Sequence, residues 1–319
     1  MIDDFIFSAN AVLPIFLVIG AGYLLRQKEF LSPKTIGEMN KLIFVFALPA
    51  LLFRDIYQAD FVNLFDPAMI LWLLAIIITK FILIWIFAEI YLRKKTDLIS
   101  AFVQVSYRAN YAIVGIPLVS NIMDGNDTGL AALSAAFIVT TYNILAVIVL
   151  TTKNKQNGGL SFALFKSIFV GICKNPSILG IVFGVTLNLL NIALPRIAWE
   201  SVNYFAMLST PLALLAVGGS VQISEVKRYF KPTVVASILK IVVLPLLFVP
   251  ISAWMGFRGE HLVVLFVLLA NPSAIICYVM AARMNGNPFI SSATILVTTA
   301  FAPVTITLGV SLLRILSLI

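Results

Sequence analysis

The chain alternates between long apolar runs and short polar breaks. Runs long enough to cross roughly 30 Å of hydrocarbon fall near residues 7–26, 36–57, 69–92, 98–121, 128–150, 176–194, 200–222, 231–255, 259–283 and 288–316. The breaks carry chemistry that favours leaving a helix: Leu31-Ser32-Pro33, Asp124-Gly125-Asn126-Asp127, Gly158-Gly159 and Asn285-Gly286-Asn287-Pro288. A bilayer core offers no water to open backbone groups, so apolar runs of this length predict helices. The pattern predicts an all-α polytopic membrane protein with about ten transmembrane helices.

Composition removes the alternative of a soluble domain with one anchor. The chain is 61% hydrophobic and 11% charged, with a mean hydropathy of +1.04, far from the values of a soluble fold. What remains between the runs is too short for a soluble catalytic domain. The opening MIDDFIFSAN lacks a basic n-region and Ala11 to Leu25 runs directly into a span, so the first helix is expected to be retained. Cys173 and Cys277 are too few for a disulfide framework or a thiolate metal site.

The basic residues sort by connection. Arg26, Lys28, Lys34 and Lys41, then Arg93, Lys94 and Lys95, then Lys153, Lys155, Lys166 and Lys174, then Lys227, Arg228 and Lys231, and finally Arg283 fall on alternate connections. Arg54, Arg196, Arg258 and Arg314 fall on the other side. The excess of Lys and Arg on cytoplasmic loops predicts a multi-pass protein of the plasma (inner) membrane with both termini non-cytoplasmic. It also accounts for the net charge of +8 through topology and lipid contact, with no nucleic acid partner.

Three basic residues remain, deep inside apolar segments: Lys80, Arg108 and Lys240. A cation at the bilayer centre costs roughly 2.5 to 3.5 kcal/mol on insertion scales, so such residues usually mark a pathway or cavity. The Asp and Glu residues, Glu89 excepted, lie in turns or at span edges, so the imbalance points to an anion within the membrane.

The chain also repeats at a lag of about 160 residues. Pro14 recurs as Pro176 and Pro49 as Pro211, each 162 apart; Lys80 recurs as Lys240, 160 apart; Ala109-Asn110 recurs as Ala270-Asn271, 161 apart. With five spans per half, an odd number, the halves enter the membrane from opposite sides, which makes an inverted repeat. The fourth and ninth spans hold Tyr107-Arg108-Ala109-Asn110 with Gly115-Ile116-Pro117, and Ala270-Asn271-Pro272-Ser273. Both are expected to unwind, since proline frees carbonyls that only protein or a wet cavity can satisfy. Half-helix N-termini would then offer N–H groups to an anion, with Asn110, Asn271 and Ser273 adding hydrogen bonds.

Leu13-Pro14-Ile15-Phe16, Gly20, Gly22 and Tyr23-Leu24-Leu25 are followed by Asn40-Lys41-Leu42 and Ala47-Leu48-Pro49-Ala50-Leu51-Leu52-Phe53. Further along come Arg108-Ala109-Asn110, Gly115-Ile116-Pro117-Leu118, Asn175-Pro176, Lys240 before Pro245, Asn271-Pro272-Ser273-Ala274 and Tyr278-Val279-Met280-Ala281. In order and spacing, this set resembles the bacterial members of the auxin efflux carrier family across essentially the whole chain.

The resemblance implies two inverted five-helix halves with broken helices 4 and 9 crossing at the substrate site, and an elevator mechanism. It implies scaffold helices 1–2 (residues 1–66) and 6–7 (176–224), which form a homodimer. Transport-domain helices 3–5 (67–150) and 8–10 (225–319) would move against them, with 151–175 a short cytoplasmic loop. The implied cargo is a small organic anion, a carboxylate such as malate, malonate or an auxin-like weak acid. Asn110, Pro117, Asn271, Pro272 and Ser273 become the crossover elements, Arg108 the nearest charge, and Lys80 and Lys240 more distant ones. Thr141, Tyr142, Asn143 and Tyr278 are candidate lining groups. The halves differ at the crossing: Pro117 follows Asn110 by seven residues, whereas Pro272 follows Asn271 directly.

Two rival classes remain open at this point. A sodium-coupled symporter of the bile acid transporter type shares crossed broken helices, and backbone carbonyls, Asn, Ser and Thr ligate sodium without a carboxylate; proton antiport through an acidic pair is disfavoured, since the acids other than Glu89 lie in loops or at span edges, and the coupling ion, sodium or proton, stays open. A non-transporting membrane sensor would reuse the same fold. An intramembrane enzyme is not expected, because the single histidine, His261 beside Glu260, joins no nucleophile or metal motif, and no cofactor is implied.

Overall fold

Three helices begin in the same way: a polar side chain caps the first turn and a proline follows at the first helical position, where its missing N–H has no cost. Ser32 accepts from Thr35 N–H ahead of Pro33, Asp66 accepts from Ala68 and Met69 N–H ahead of Pro67, and Asn287 accepts from Phe289 and Ile290 N–H ahead of Pro288. These caps set the entry points of α2, α3 and α10.

The computed structural model describes residues 2–58, 66–123, 129–152, 176–220, 226, 228–284 and 286–319. The connection expected at 151–175 lies outside them from residue 153 onward, with Lys153, Lys155, Lys166, Cys173 and Lys174; so do the turns at 124–127 and 158–159, Lys227 and Asn285.

In chain order the helices are α1 (Ile2–Gln27), α2 (Pro33–Gln58), α3 (Pro67–Tyr91), α4a (Thr96–Tyr107), α4b (Tyr111–Ile122), α5 (Gly129–Thr152), α6 (Pro176–Leu189), α7 (Arg196–Gly219), α8 (Phe230–Trp254), α9a (Gly259–Ala270), α9b (Ile276–Arg283) and α10 (Pro288–Ile315). Apart from one isolated bridge, the described residues hold no strand. Among the described residues, seven helices, α1, α2, α3, α5, α7, α8 and α10, are long and apolar enough to cross a membrane. The sixth helix is shorter than the run suggested, stopping at Leu189, and α7 starts earlier, at Arg196.

Wide turns interrupt α2, α4b and α8 at Ile43–Ala47, Tyr111–Gly115 and Leu239–Val243, and each is followed one residue later by a proline: Pro49, Pro117 and Pro245. In each, the residue before the proline donates five residues back, Leu48 to Ile43 O, Ile116 to Tyr111 O and Leu244 to Leu239 O. Opening the turn by one residue relieves the collision between the pyrrolidine ring and the preceding turn while keeping the helix continuous.

The centre of the bundle is made by the broken helices. Every residue of Leu98–Tyr107 and of Leu262–Ala270 is buried, as expected of helices that are apolar on all sides. Around them α3 packs on α4a and α5, α8 on α9a and α10, α2 on α6 and α7, and α1 on α7 and α10. The α1–α7 contact is backbone to backbone: a Cβ on Gly218 would stand 1.8 Å from Ile19 O, and one on Gly22 2.2 Å from Leu215 O. Small residues at helix crossings are how membrane helices gain packing where lipid offers no hydrophobic drive. Outward faces carry exposed Leu17, Ile90, Ile197 and Trp254, consistent with a hydrocarbon surround.

Candidate functional site

Helices 4 and 9 are both interrupted, and the interruptions lie against each other. Arg108 leaves helical space at φ −86°, ψ 122°, and Asn110 at φ −81°, ψ 52° turns the chain into α4b. Asn271 is extended at φ −64°, ψ 143°, because Pro272 disfavours a helical residue before it. Ala109 and Ser273 pair in antiparallel fashion. Asn110 N–H donates to Pro272 O at 2.8 Å and Ala274 N–H to Arg108 O at 3.4 Å on either side. The bridge satisfies backbone groups that the two breaks would otherwise leave open.

Side chains lock the crossing. Asn271 Nδ2 donates to Asn110 O at 3.0 Å. Ser273 Oγ donates to Val105 O at 2.6 Å, and Ser273 N–H donates to Thr298 Oγ1 of α10 at 3.2 Å. A Cβ on Gly115 would stand 2.9 Å from Asn271 Nδ2, so the absence of a side chain there lets the Asn271 amide reach across.

A cavity of about 590 Å³ opens beside the crossing. Its walls are α2, α5, α6 and the two crossing segments. The polar lining is Asn40 and Lys41 from α2, Arg108, Asn110 and Tyr111 from the fourth helix, Tyr142 and Asn143 from α5, and Ser177 from α6; among the described residues no carboxylate lines it. The first turns of both downstream half-helices reach it, through Tyr111, Ala112 and Ile113 and through Ala274, Ile275 and Ile276. First-turn N–H groups have no partner within their own helix, and the dipole adds partial positive charge there. Exposed Gly37 and Lys41 stand at its mouth.

Arg108 is the buried cation of this cavity, Lys41 being exposed at its rim. Its Nη2 donates to Asn143 Oδ1 at 2.7 Å and its Nη1 to Met280 Sδ at 3.3 Å. Both partners are neutral, and among the described residues no acid pairs with the guanidinium. A buried guanidinium held in place by neutral groups keeps its charge available for an incoming anion.

The other expected residues separate into groups. Asn110 and Asn143 line the cavity with Arg108, whereas Asn271, Pro272 and Ser273 form the crossing behind its wall. Pro117 lies beyond the crossing, in the turn after the widened segment, because the clash it creates is taken up by that segment and not by the break at Arg108–Asn110. Lys80 and Lys240 are fully buried and do not line the cavity: Lys80 Nζ donates to Tyr142 Oη at 2.9 Å, and Lys240 Nζ to Leu269 O at 3.2 Å. Tyr278 and Thr141 are also absent from the wall. Asn40, Lys41 and Ser177 enter unforeseen as site residues. The only earlier signal for the first two was their place in the Asn40-Lys41-Leu42 motif, since a lysine near a helix end also fits a topology role.

Interrupted helices that cross within an apolar bundle and open their N-terminal turns on a cavity large enough for a small solute are the build of a solute transporter. The comparisons agree. The chain belongs to the membrane transport protein family of the auxin efflux carrier type, whose family model matches residues 7–310. It is similar to the uncharacterized transporter YfdV of Escherichia coli (strain K12), 24% identical over 284 residues that cover 88% of this chain and 89% of that one. It is also similar to the uncharacterized transporter MJ1031 of Methanocaldococcus jannaschii, 21% identical with 94% and 96% covered, and to an uncharacterized transporter of Methanothermobacter thermautotrophicus, 22% identical with 95% and 98% covered. The chain is thus a multi-pass membrane transport protein with a small-molecule substrate.

Proposed function

We propose that this protein is a secondary transporter moving a small organic anion, a carboxylate such as malate, malonate or an auxin-like weak acid, across the plasma membrane. The observation that carries the reading is Arg108: a guanidinium at the wall of a cavity that no carboxylate among the described residues lines, beside two half-helix N-termini. A carboxylate there receives charge-assisted hydrogen bonds from Arg108 and amide donors from Asn110 and Asn143.

The mechanism we infer is an elevator. The cavity runs between α2 and α6 on one side and α4, α5 and α9 on the other, which fits a scaffold of residues 1–66 and 176–224 against a mobile domain of 67–150 and 225–319. An inverted repeat of five plus five helices is supported by the antiparallel crossing and by buried lysines at matching places in α3 and α8. The exposed rim of the cavity, Gly37 and Lys41, lies in the part of α2 that follows the basic connection with Arg26, Lys28 and Lys34, so the positive-inside rule makes this the inward-facing state, with both termini outside. A homodimer through the scaffold helices completes the proposal.

The test is current across proteoliposomes on adding malate, malonate, a monocarboxylate or an aromatic acid, with and without a sodium gradient. Wild type is expected to give a current that Arg108→Gln and Asn271→Ala abolish. A current that persists in both variants would sink the site. Substrate-induced quenching without any flux would move the protein to the sensor class, and strict sodium dependence would make it a symporter.

A further inference from the structure

The two buried lysines sit in different chemistry. Lys240 Nζ donates to Leu269 O, at the C-terminal end of α9a, where the helix dipole favours a fixed positive charge and the partner can only accept. Lys80 donates to the Tyr142 hydroxyl at 2.9 Å. A phenol accepts from an ammonium and equally donates to a neutral amine, so this contact survives either protonation state of Lys80. Leu269 O would still accept from a neutral Lys240 but cannot donate to its lone pair, so of the two lysines only Lys80 has a partner that matches both of its forms.

The surroundings of Lys80 withhold a permanent counter-charge. Tyr107 of α4a packs edge-on against the Tyr142 ring and donates its hydroxyl to Tyr142 O at 3.1 Å; from α5 Lys80 meets Tyr142 itself, and from α8 the charge acting on it is Lys240, of like sign. Arg108 lies 5.9 Å from the centre of the same Tyr142 ring. On its own helix the nearest carboxylate is Glu89, over two turns away and bonded by Trp85 Nε1. A fully buried ammonium with cations and phenols for company is strongly disfavoured. Tyr142 connects this site to the cavity, because it holds Lys80 and also lines the wall.

We propose that Lys80 is the proton-carrying residue of this transporter: neutral when the cavity is empty, protonated from the aqueous cavity when the anion binds, so that one proton travels with each anion. The anion at Arg108 supplies the negative potential that Lys80 lacks, and by linkage a proton on Lys80 tightens anion binding by the same factor. The inference rests on the proposed function, with α3 and the crossing moving together in the mobile domain.

The experiment uses radiolabelled malonate and malate, whose charge keeps them from leaking, with the full chain in proteoliposomes and the potential clamped at zero. Wild type is expected to accumulate the label against its gradient when the interior is alkaline, by about tenfold per pH unit for one proton. Lys80→Arg, which cannot release its proton, and Lys80→Met, which cannot take one, should admit label only down its gradient. Wild-type uptake indifferent to the pH gradient, or accumulation retained in both variants, overturns the proposal and leaves the transport reading standing. Should either variant fail to insert, the wild-type gradient and Tyr142→Phe, which removes the hydroxyl and should lower the accumulation ratio, decide. No label entering wild-type vesicles overturns the transport reading, and this proposal with it.

Discussion

Asn271 reaches through the gap above Gly115 to hold the carbonyl of Asn110 at 3.0 Å, and the bond runs in one direction only. Asn271 is fully buried and its Oδ1 has no partner among the described residues, while Asn110 lines the cavity. The two asparagines sit at equivalent breaks yet divide the labour: one clamps the crossing and the other faces the cavity. Asn110 O also accepts from Val114 and Gly115 N–H, so Asn271→Ala leaves no orphaned carbonyl. The expected cost is about 1 kcal/mol of stability with uptake at least tenfold lower, whereas Asn110→Ala should act mainly by raising KM. Thermal unfolding in detergent alongside concentration-dependent uptake separates the two effects; a stability loss without loss of uptake for Asn271→Ala would show that the clamp is merely structural.

Gly115 makes the same point by addition. An alanine there would put its Cβ 2.9 Å from Asn271 Nδ2 and 2.9 Å from Tyr111 Cδ2. The asparagine amide is the end of a short side chain already committed to Asn110, so it gives way by losing that bond. Gly115→Ala is expected to reduce uptake to the level of Asn271→Ala, and the double variant to be no worse than either alone, since both remove one contact. Additive losses in that cycle would separate the glycine from the clamp.

Arg108 distinguishes charge from shape. Arg108→Gln keeps an amide able to donate toward Asn143 Oδ1 but removes the cation; Arg108→Lys keeps the cation but not the planar fork that spans Asn143 and Met280. Loss of a charged hydrogen bond of about 1.5–3 kcal/mol corresponds to an apparent affinity lower by roughly ten- to a hundredfold for Arg108→Gln, with Arg108→Lys between it and wild type. Carboxylate titrations read this directly, and equal affinity in Arg108→Gln would remove the guanidinium from the site.

Much of the architecture was readable from run lengths, and the breaks in helices 4 and 9 from the proline-bearing segments Tyr107–Pro117 and Ala270–Ser273, whose asparagines can bond the backbone that a break frees. Side-chain direction was not readable. Lys80 and Lys240 have the depth of cavity residues but point to Tyr142 and Leu269 O, and depth in sequence is the same for a residue facing water and one facing protein. Pro117 looked like a helix breaker, yet its helix widens at Tyr111–Gly115 and continues; the same adjustment ahead of Pro49 and Pro245 leaves no trace in composition. Asn40, Lys41 and Ser177 come from helices distant in the chain, and only packing of α2 and α6 beside the crossing brings them to one wall.

Lys240 gives a prediction in which stability and function part company. Its ammonium is fully buried, with a carbonyl at the end of α9a as its hydrogen-bond partner and no acid within an ion pair among the described residues. Lys240→Met keeps the length of the side chain, removes the desolvated charge and gives up one hydrogen bond of about 1 kcal/mol. Replacing a buried charge by an apolar residue of similar volume is commonly neutral or stabilising, so Tm in detergent is expected to hold or rise. Function moves the other way. With Lys240 gone the C-terminal end of α9a loses the cation that offsets its partial negative charge, the crossing becomes less attractive to an anion, and KM for a carboxylate should rise several-fold. A variant that lost stability and kept its KM would assign Lys240 to packing; one that gained stability and lost affinity would show that the charge is held at the crossing for transport.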